Sequence, residues 1–417
     1  MPNLNRFLAP LLAFAFVLCL VLWAYPEGGQ PARRIGIILG WAGCGLLFAS
    51  LFLALREPRL AALFGGLETM YAWHHRLGMA AYAALLAHPL LLAAASLPNA
   101  PREAWELVSP WSEGWPVWTG WLALLALMAG LAATFARKLA YRIRRPLHAM
   151  LGVAVALGLI HLLLLGIDEP VAPLLLASLA LLAWRLVRED WGVGALPYVV
   201  RSVERVSANT VEVALAPLGA PIAARPGQFA CVAFRSARGF KGCGEFHPYT
   251  VSSVEGASGF RIAVKALGDC TRNIQSIEPG VPARVQGAFG DFFGKPALSP
   301  QYWIAGGIGI TPFLSLLRAG RLDHPTTLIY LYRSETDALF VEELREIAAT
   351  LPKLTLRFVQ TGDDPVDLKN VVPADGEVGG AEFWLCGPPP MIKTFADHLR
   401  RRGIANRRMH FENFGPL

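Results

Sequence analysis

Residues 70–97 read MYAWHHRLGMAAYAALLAHPLLLAAASL, with one formal charge, Arg76, and three histidines, His74, His75 and His88. A membrane-spanning helix needs about 20 mainly apolar residues, and this stretch exceeds that. Ionisable side chains inside such a helix point to function. Working outward, similar blocks occur at Phe7–Ala24, Ile35–Leu55, Val117–Phe135, Leu147–Ile167 and Val171–Leu186. With Met70–Leu97 they make six expected spans, the last ending at Trp184, an interface anchor. The first is read as a span and not a signal peptide, because only Arg6 precedes it and no A-x-A site follows.

The composition of the whole chain agrees. Of 417 residues, 54% are hydrophobic and only 17% charged, against roughly 25% charged in soluble proteins; the mean hydropathy is +0.41. The charge shortage ends near Leu186, and Glu189–Leu417 reads as soluble protein. Disorder, collagen-like repeats and a small disulfide scaffold are excluded. The net charge of +7 comes from Lys and Arg beside apolar segments, with no basic stripe, so it reads as membrane topology and not nucleic-acid binding. None of the cysteines, Cys19, Cys44, Cys231, Cys243, Cys270 and Cys386, forms a C-x-x-C pair; this argues against zinc or iron–sulfur ligation.

Arg137, Lys138, Arg142, Arg144 and Arg145 crowd the fourth-to-fifth connection, and Arg56 and Arg59 the second-to-third. The third-to-fourth loop carries Glu103, Glu106 and Glu113 against Arg102, and the fifth-to-sixth carries Asp168 and Glu169. By the positive-inside rule both termini and the soluble half are cytoplasmic, although Arg33 and Arg34 dissent.

Five histidines, His74, His75, His88, His148 and His161, lie on the third and fifth spans, which are parallel in this topology. His74 and His88 are about 21 Å apart in rise and about 40° from the same face. His148 and His161 are about 19.5 Å apart but about 140° around an ideal helix, so this pair calls for a local distortion, which Gly152 and Gly158 could provide. His74 can then face His148 on the inner side, and His88 can face His161 on the outer side. Two imidazoles facing across a bundle are an axial pair for haem iron. Two stacked pairs would make an electron path across the bilayer; a proton relay or satisfied core histidines are the alternatives.

The soluble half opens with short β-branched runs at Tyr198–Val206, Thr210–Ala214, Gln228–Phe234, Tyr249–Val254, Phe260–Val264 and Ala283–Gln286, a small antiparallel barrel ending near Lys295. Strands Tyr302–Ala305, Thr327–Tyr332, Thr355–Val359 and Glu382–Cys386 then alternate with helices Phe313–Ala319, Val341–Thr350 and Met391–Arg401, a doubly wound α/β domain. Three motifs carry chemistry. His247-Pro248-Tyr249-Thr250, after Arg225-Pro226-Gly227-Gln228-Phe229, suits a flat ring needing stacking and a hydrogen bond, or is a plain barrel strand. Lys265-Ala266-Leu267-Gly268-Asp269-Cys270-Thr271 offers close backbone approach and donors for a diphosphate, or is an ordinary turn. Gly306-Gly307-Ile308-Gly309-Ile310-Thr311, between strand and helix, suits a dinucleotide diphosphate. Cys386-Gly387 ends another strand at the same carboxyl edge, where ligands collect.

In this order the motifs resemble the ferredoxin–NADP reductase-like flavoprotein module. From about residue 35 onward the chain resembles the ferric reductase and NADPH oxidase superfamily, particularly compact bacterial NADPH oxidases. Its first haem-helix pattern matches His74, Leu77-Gly78 and His88, choosing His74 over His75, and His148 and His161 match its second. The resemblance implies that Tyr249 packs on the isoalloxazine of FAD and Thr250 bonds near its reactive nitrogen, while His247-Pro248 stands where soluble relatives often have Arg. It implies that Lys265, Gly268 and Thr271 hold the FAD diphosphate, and Gly306, Gly307, Gly309 and Thr311 that of the nicotinamide nucleotide. Cys386 and Gly387 lie beside the nicotinamide, and the tail Phe411-Glu412-Asn413-Phe414 brings Phe414 over the flavin. Arg333 and Ser334 after a strand favour NADPH over NADH.

The expected chain is thus a dihaem transmembrane domain (1–190), an FAD-binding β-barrel (195–297) and an NADPH-binding α/β domain (298–417), in a bacterial inner membrane. Expected cofactors are FAD, two haem b and NADPH. The expected acceptor is dioxygen, giving superoxide, with ferric iron or a periplasmic protein as alternatives. A transporter or sensor regulated by its nucleotide domain is the rival from another class. With no regulatory domain or calcium loop evident, activity is expected to be constitutive.

Overall fold

The computed structural model describes residues 5–109, 111, 114–136, 139, 141–294, 300–320, 322–362, 371–372 and 380–413. It divides into two compact units, which meet in sequence between Trp191 and Gly192.

The first unit is helical: α1 (Asn5–Trp23), α2 (Pro31–Leu53), α3 (Pro58–Leu63), α4 (Leu67–Ser96), α5 (Pro101–Val108), α6 (Trp115–Phe135), α7 (Tyr141–Leu164) and α8 (Val171–Trp184), the last running into a π-helical turn at Arg185–Asp190. Proline in the first turn of α2, α3, α5 and α6 sits where its missing N–H leaves no bond unmade. Among the described residues five helices are long and apolar enough to cross a membrane. The first expected span lies in α1 as a further apolar helix, Phe7–Trp23, and the expected layout of helical bundle, barrel and α/β domain stands. The third and fifth expected spans begin earlier than their apolar runs, because Leu67 and Tyr141 already continue the helices.

Small residues set the helix contacts, as is usual where lipid and side chain are equally apolar. A Cβ on Gly43 of α2 would lie 2.5 Å from Leu85 of α4, and one on Gly130 of α6 would lie 2.6 Å from Leu151 of α7. Helices α2 and α4, and α6 and α7, therefore pack closely as pairs. Beyond α2, the Arg56 backbone N–H donates to Glu189 Oε1 at 2.5 Å and its Nε to Oε2 at 3.2 Å, anchoring the π-helical turn.

The second unit begins with a closed six-stranded antiparallel barrel in the order β1-β2-β5-β4-β3-β6, with β1 Leu196–Ser207, β2 Thr210–Pro217, β3 Phe229–Phe234, β4 His247–Val254, β5 Phe260–Lys265 and β6 Pro282–Phe289. Closure removes exposed strand edges. Its interior is filled by Tyr198, Val213, Val232, Val251, Phe260 and Ile262 among others. The short helix α9 (Asp269–Ile274) follows β5.

A parallel sheet in the order β11-β10-β7-β8-β9 follows, with β7 Gln301–Gly306, β8 Thr326–Tyr332, β9 Leu354–Gln360, β10 Glu382–Gly387 and β11 Met409–Asn413. Helices α10 (Thr311–Arg318), α11 (Val341–Thr350) and α12 (Pro389–Arg401) alternate with the strands. Trp303, Phe313, Tyr330 and Trp384 are fully buried in its core, and the central strands are buried on both faces, as parallel strands covered by helices are.

Candidate functional site

In the helical unit, His74 of α4 and His148 of α7 face each other with ring centroids 6.1 Å apart and planes at 71°. His161 of α7 lies close enough to His88 of α4 to act on it electrostatically. His75 is exposed and its ring packs edge-on against Phe135, 6.1 Å away. It is thus the His74 ring, and not that of His75, that faces His148.

The hydrogen bonds of the four rings follow one scheme. His74 Nδ1 lies 2.8 Å from the Ser50 carbonyl oxygen and 2.9 Å from Ser50 Oγ, while that hydroxyl donates to the His74 carbonyl at 3.0 Å. His88 Nδ1 lies 2.7 Å from the Gly36 carbonyl, and His161 Nδ1 lies 2.5 Å from the Pro116 carbonyl. His148 Nδ1 lies 2.8 Å from Thr134 Oγ1, whose own proton goes to the Gly130 carbonyl at 2.8 Å. A carbonyl can only accept, and the Thr134 hydroxyl has already donated its proton. Nδ1 therefore donates in every ring, and each Nε2 keeps a lone pair. That is the tautomer of a metal-ligating imidazole oriented by its second nitrogen.

Helix α2 anchors both rings of α4, at Ser50 and Gly36, and α6 anchors both rings of α7, at Thr134 and Pro116. Glycines make room for the rings nearer Gly36 and Pro116: a Cβ on Gly40 would come within 2.9 Å of His88 Nδ1, and one on Gly120 within 3.1 Å of the His161 ring. Helix α7 runs unbroken through Gly152 and Gly158, so the expected distortion is absent as a break. The anchors on α6, Thr134 and Pro116, stand eighteen residues apart against thirteen for the rings they hold. The sequence reading missed these partners; the signal was Gly36 and Ser50, fourteen residues apart like His74 and His88.

The residues present fit haem. A metal–imidazole bond is about 2 Å, so two such bonds plus the near halves of two rings span roughly 6 Å, the separation of His74 and His148. These two would hold one iron.

In the second unit, the edges of β4 and β5 gather the first two motifs. Tyr249 and Thr250 are buried, and Tyr249 Oη and Thr250 Oγ1 have no hydrogen-bond partner among the described residues. The Tyr249 ring belongs to the barrel core, and burial, with the nearby Cys243 and Cys270, pushes its hydroxyl pKa up. Pro248 is exposed beside them. Thr271 Oγ1 accepts from the Leu267 and Gly268 N–H groups at 2.9 and 2.8 Å, shaping the turn, and nothing lies within 4 Å of where a Gly268 Cβ would be. Lys265 Nζ points to Asp337 Oδ1 at 3.4 Å, and Asp337 also accepts from Ser334 Oγ at 3.0 Å. The orphaned hydroxyls and the open Gly268 turn fit a flavin nucleotide.

The third motif forms as expected: β7 ends at Gly306, a 3₁₀ turn covers Gly307–Ile310, and α10 starts at Thr311. Gly307 has φ +53°, favourable for glycine. A Cβ on Gly309 would strike the Cys386 carbonyl at 2.3 Å, and one on Gly306 the Met391 sulfur at 2.4 Å. The turn thus lies flush against Cys386-Gly387 at the carboxyl edge of the sheet. Thr311 Oγ1 donates to the Ile308 carbonyl at 2.9 Å, bracing the turn. Arg333 follows β8 at that same edge and is exposed. Phe414 lies outside the described residues, as do Glu113, Arg137, Lys138 and Lys295.

Two features were missed in sequence. Arg318 of α10 donates to Glu212 of β2 at 2.6 and 3.2 Å and to Glu343 of α11 at 2.6 and 2.8 Å. Glu212 also accepts from Ser252 Oγ at 2.5 Å. This buried network locks the helix after the glycine turn onto the barrel. The second is Cys243, His247 and Cys270, whose ligand atoms all lie within 4.8 Å of one another. Burial raises the Cys243 thiol, yet hydrogen bonding to His247 and Cys270 leaves it below its ordinary value. Burial, then Cys243, push Cys270 up to about 12.

Residues 39–159 match the family described as ferric reductase like transmembrane component, 197–281 an FAD-binding domain and 303–397 an oxidoreductase NAD-binding domain. Among curated proteins, a flavohemoprotein of Rhizobium meliloti (strain 1021) is 25% identical over 48% of this chain and 55% of its own. The electron transfer component of a toluate 1,2-dioxygenase from Pseudomonas putida is 28% identical over 32% of this chain and 43% of its own. The chain spans about half the length of the curated relatives it matches. Among solved structures, flavohemoglobin from Malassezia yamatoensis aligns over 98% of both chains at 19% identity and TM-score 0.49. The FAD/NAD-binding domain of a nitric oxide dioxygenase from Vibrio cholerae aligns over 53% of this chain and 99% of its own, at 22% identity and TM-score 0.47.

Proposed function

We propose that this chain, which has the architecture of a ferric reductase/NADPH oxidase-like protein with a ferredoxin–NADP reductase-like module, carries electrons from cytoplasmic NADPH across a bacterial inner membrane to dioxygen. The observation that carries this reading is the His74–His148 pair, 6.1 Å apart, with Nδ1 committed in all four histidines.

The chemistry that the bound groups supply is hydride acceptance at FAD and one-electron carriage at two haem irons. The residues do the rest. Gly306, Gly307, Gly309 and Thr311 receive the nucleotide diphosphate at the start of α10, where backbone N–H groups favour anions. Cys386 and Gly387 border the nicotinamide. Tyr249 and Thr250 offer their unpartnered hydroxyls to the flavin. Lys265, Gly268 and Thr271 shape the turn for its diphosphate, and Phe414 is proposed to cover its ring. His74 and His148 hold the inner iron, and His88 and His161 the outer one. One NADPH releases two electrons, which reduce two dioxygen molecules to superoxide.

The basic connections around Arg56 and Arg145 support the cytoplasmic placement. Ferric iron is the second acceptor considered, since α5 carries Glu103 and Glu106, the latter already paired with Arg102 at 3.0 Å. Arg333 and Ser334 support NADPH: Arg333→Ala should raise KM for NADPH while leaving that for NADH unchanged.

The decisive experiment is the visible spectrum of the purified protein under anaerobic NADPH, followed by air. Haem bands that reduce and then reoxidise quickly support the oxidase. Bands that stay reduced in air point to ferric iron or a protein acceptor, and the absence of haem bands overturns the reading.

A further inference from the structure

Cys243 lies in the loop before β4, His247 is the first residue of β4, and Cys270 is the second residue of α9, just after β5. Strands β4 and β5 are antiparallel neighbours, so the start of one and the end of the other share a rim of the barrel. This topology brings a loop thiol, a strand imidazole and a helix thiol together from positions up to 27 residues apart. All three are partly buried, and their ligand-capable atoms lie within 4.8 Å of one another. The Glu245 carboxylate lies beside the cluster, its Oε2 being 3.7 Å from His247 Nε2.

We propose that Cys243, His247 and Cys270 bind one zinc ion at this rim, with a water as the fourth ligand. Tetrahedral zinc with Zn–S bonds of about 2.3 Å and Zn–N bonds of about 2.0–2.1 Å requires ligand atoms roughly 3.5–3.8 Å apart. The observed cluster needs an inward closure of about 1 Å, within the reach of cysteine rotamers on a loop and a first helical turn. Two thiolates and an imidazole favour zinc over hard cations such as magnesium or calcium. Binding displaces the two thiol protons to solvent.

The metal ties the Cys243–His247 segment to the first turn of α9. It makes His247 a zinc ligand in place of the flavin contact implied by resemblance. The proposal is independent of electron transfer, because zinc content can be read without flavin, haem or turnover.

The test uses the full chain purified in detergent, incubated with one equivalent of zinc and desalted. About one zinc per chain is expected by mass spectrometry, with the Cys243→Ser/Cys270→Ser double variant losing at least nine-tenths of it. The zinc K-edge absorption spectrum of the unaltered protein, which haem iron does not obscure, should show two sulfur scatterers at about 2.3 Å. Oxygen and nitrogen scatterers alone would overturn the proposal even if the double variant failed to fold. Equal zinc in the double variant, or a chain that excludes zinc because Cys243 and Cys270 are joined as a disulfide, would overturn it as well.

Discussion

The rings of His74 and His148 sit 6.1 Å apart, and each turns its Nδ1 away from the other toward a partner on a neighbouring helix, Ser50 for His74 and Thr134 for His148. The gap between them is therefore bordered by Nε2 atoms. Had either ring turned the other way, the pair would present a proton where a metal needs a lone pair.

Replacement of either member of a pair should remove one haem and spare the other. His148→Leu is expected to halve the total haem by emptying the inner site, and His161→Leu by emptying the outer. Haem-to-protein ratios from the visible spectrum check this; unchanged absorbance in both variants would end the dihaem reading.

Thr134→Val keeps the shape of the side chain but deletes the oxygen that accepts from His148 Nδ1. Loss of such an outer partner typically weakens metal binding 10–100-fold. The variant should release inner haem to an apo-haem acceptor faster than the unaltered chain, and its remaining inner haem should show a raised midpoint potential, because a less basic imidazole stabilises the oxidised iron less. A potential identical to that of the parent protein would show that the hydroxyl has no such influence.

Gly40→Val places a side chain where a Cβ alone already comes within 2.9 Å of His88 Nδ1. The ring must shift, so outer haem is lost while inner haem remains. Redox titration with a single remaining haem wave is the expected result.

Arg318 is mostly buried, with a side-chain exposure of 15%, and Glu212 beside it has 2%. Removing one partner of a buried ion pair typically costs about 3–5 kcal/mol. Arg318→Met should therefore lower the thermal midpoint of the second unit and raise KM for the nicotinamide nucleotide, since α10 follows the glycine turn. Unchanged melting would show that Glu343 and Ser252 hold the interface without it.

Burial alone would raise the Glu255 carboxyl, but hydrogen bonds from Arg261 and Arg201 hold it below its ordinary 4.5. The unfolded chain therefore binds more protons around that pH, so the contribution to stability is complete above about 4.5 and disappears as the pH falls through the lowered folded value. The melting temperature of the parent should drop more steeply than that of Glu255→Gln as the pH is lowered from about 7 to about 4. Parallel curves would refute the assignment.

Much of this is legible in the chain itself. Apolar length marks the spans because hydrocarbon holds no water to satisfy an unpaired backbone. Val341–Thr350 is legible to the residue, since its amphipathic repeat is a local property. The turn Gly306–Thr311 is also legible, because close approach to Cys386-Gly387 demands glycine at fixed positions.

The positions of the four histidines along their helices are legible in the sequence; the hydrogen bonds of their rings are not. Spacing along a helix says how far apart two rings are, whereas the carbonyls of Gly36, Ser50 and Pro116 that select Nδ1 belong to other helices and are brought near only by packing. The same holds for Arg318 with Glu212, 106 residues apart, and for Cys243 with His247 and Cys270. A local pattern encodes which chemistry a residue can offer. Which groups meet is decided by the closed barrel and the paired helices, because hydrogen bonds and metal coordination act over a few ångströms of space and not along the chain.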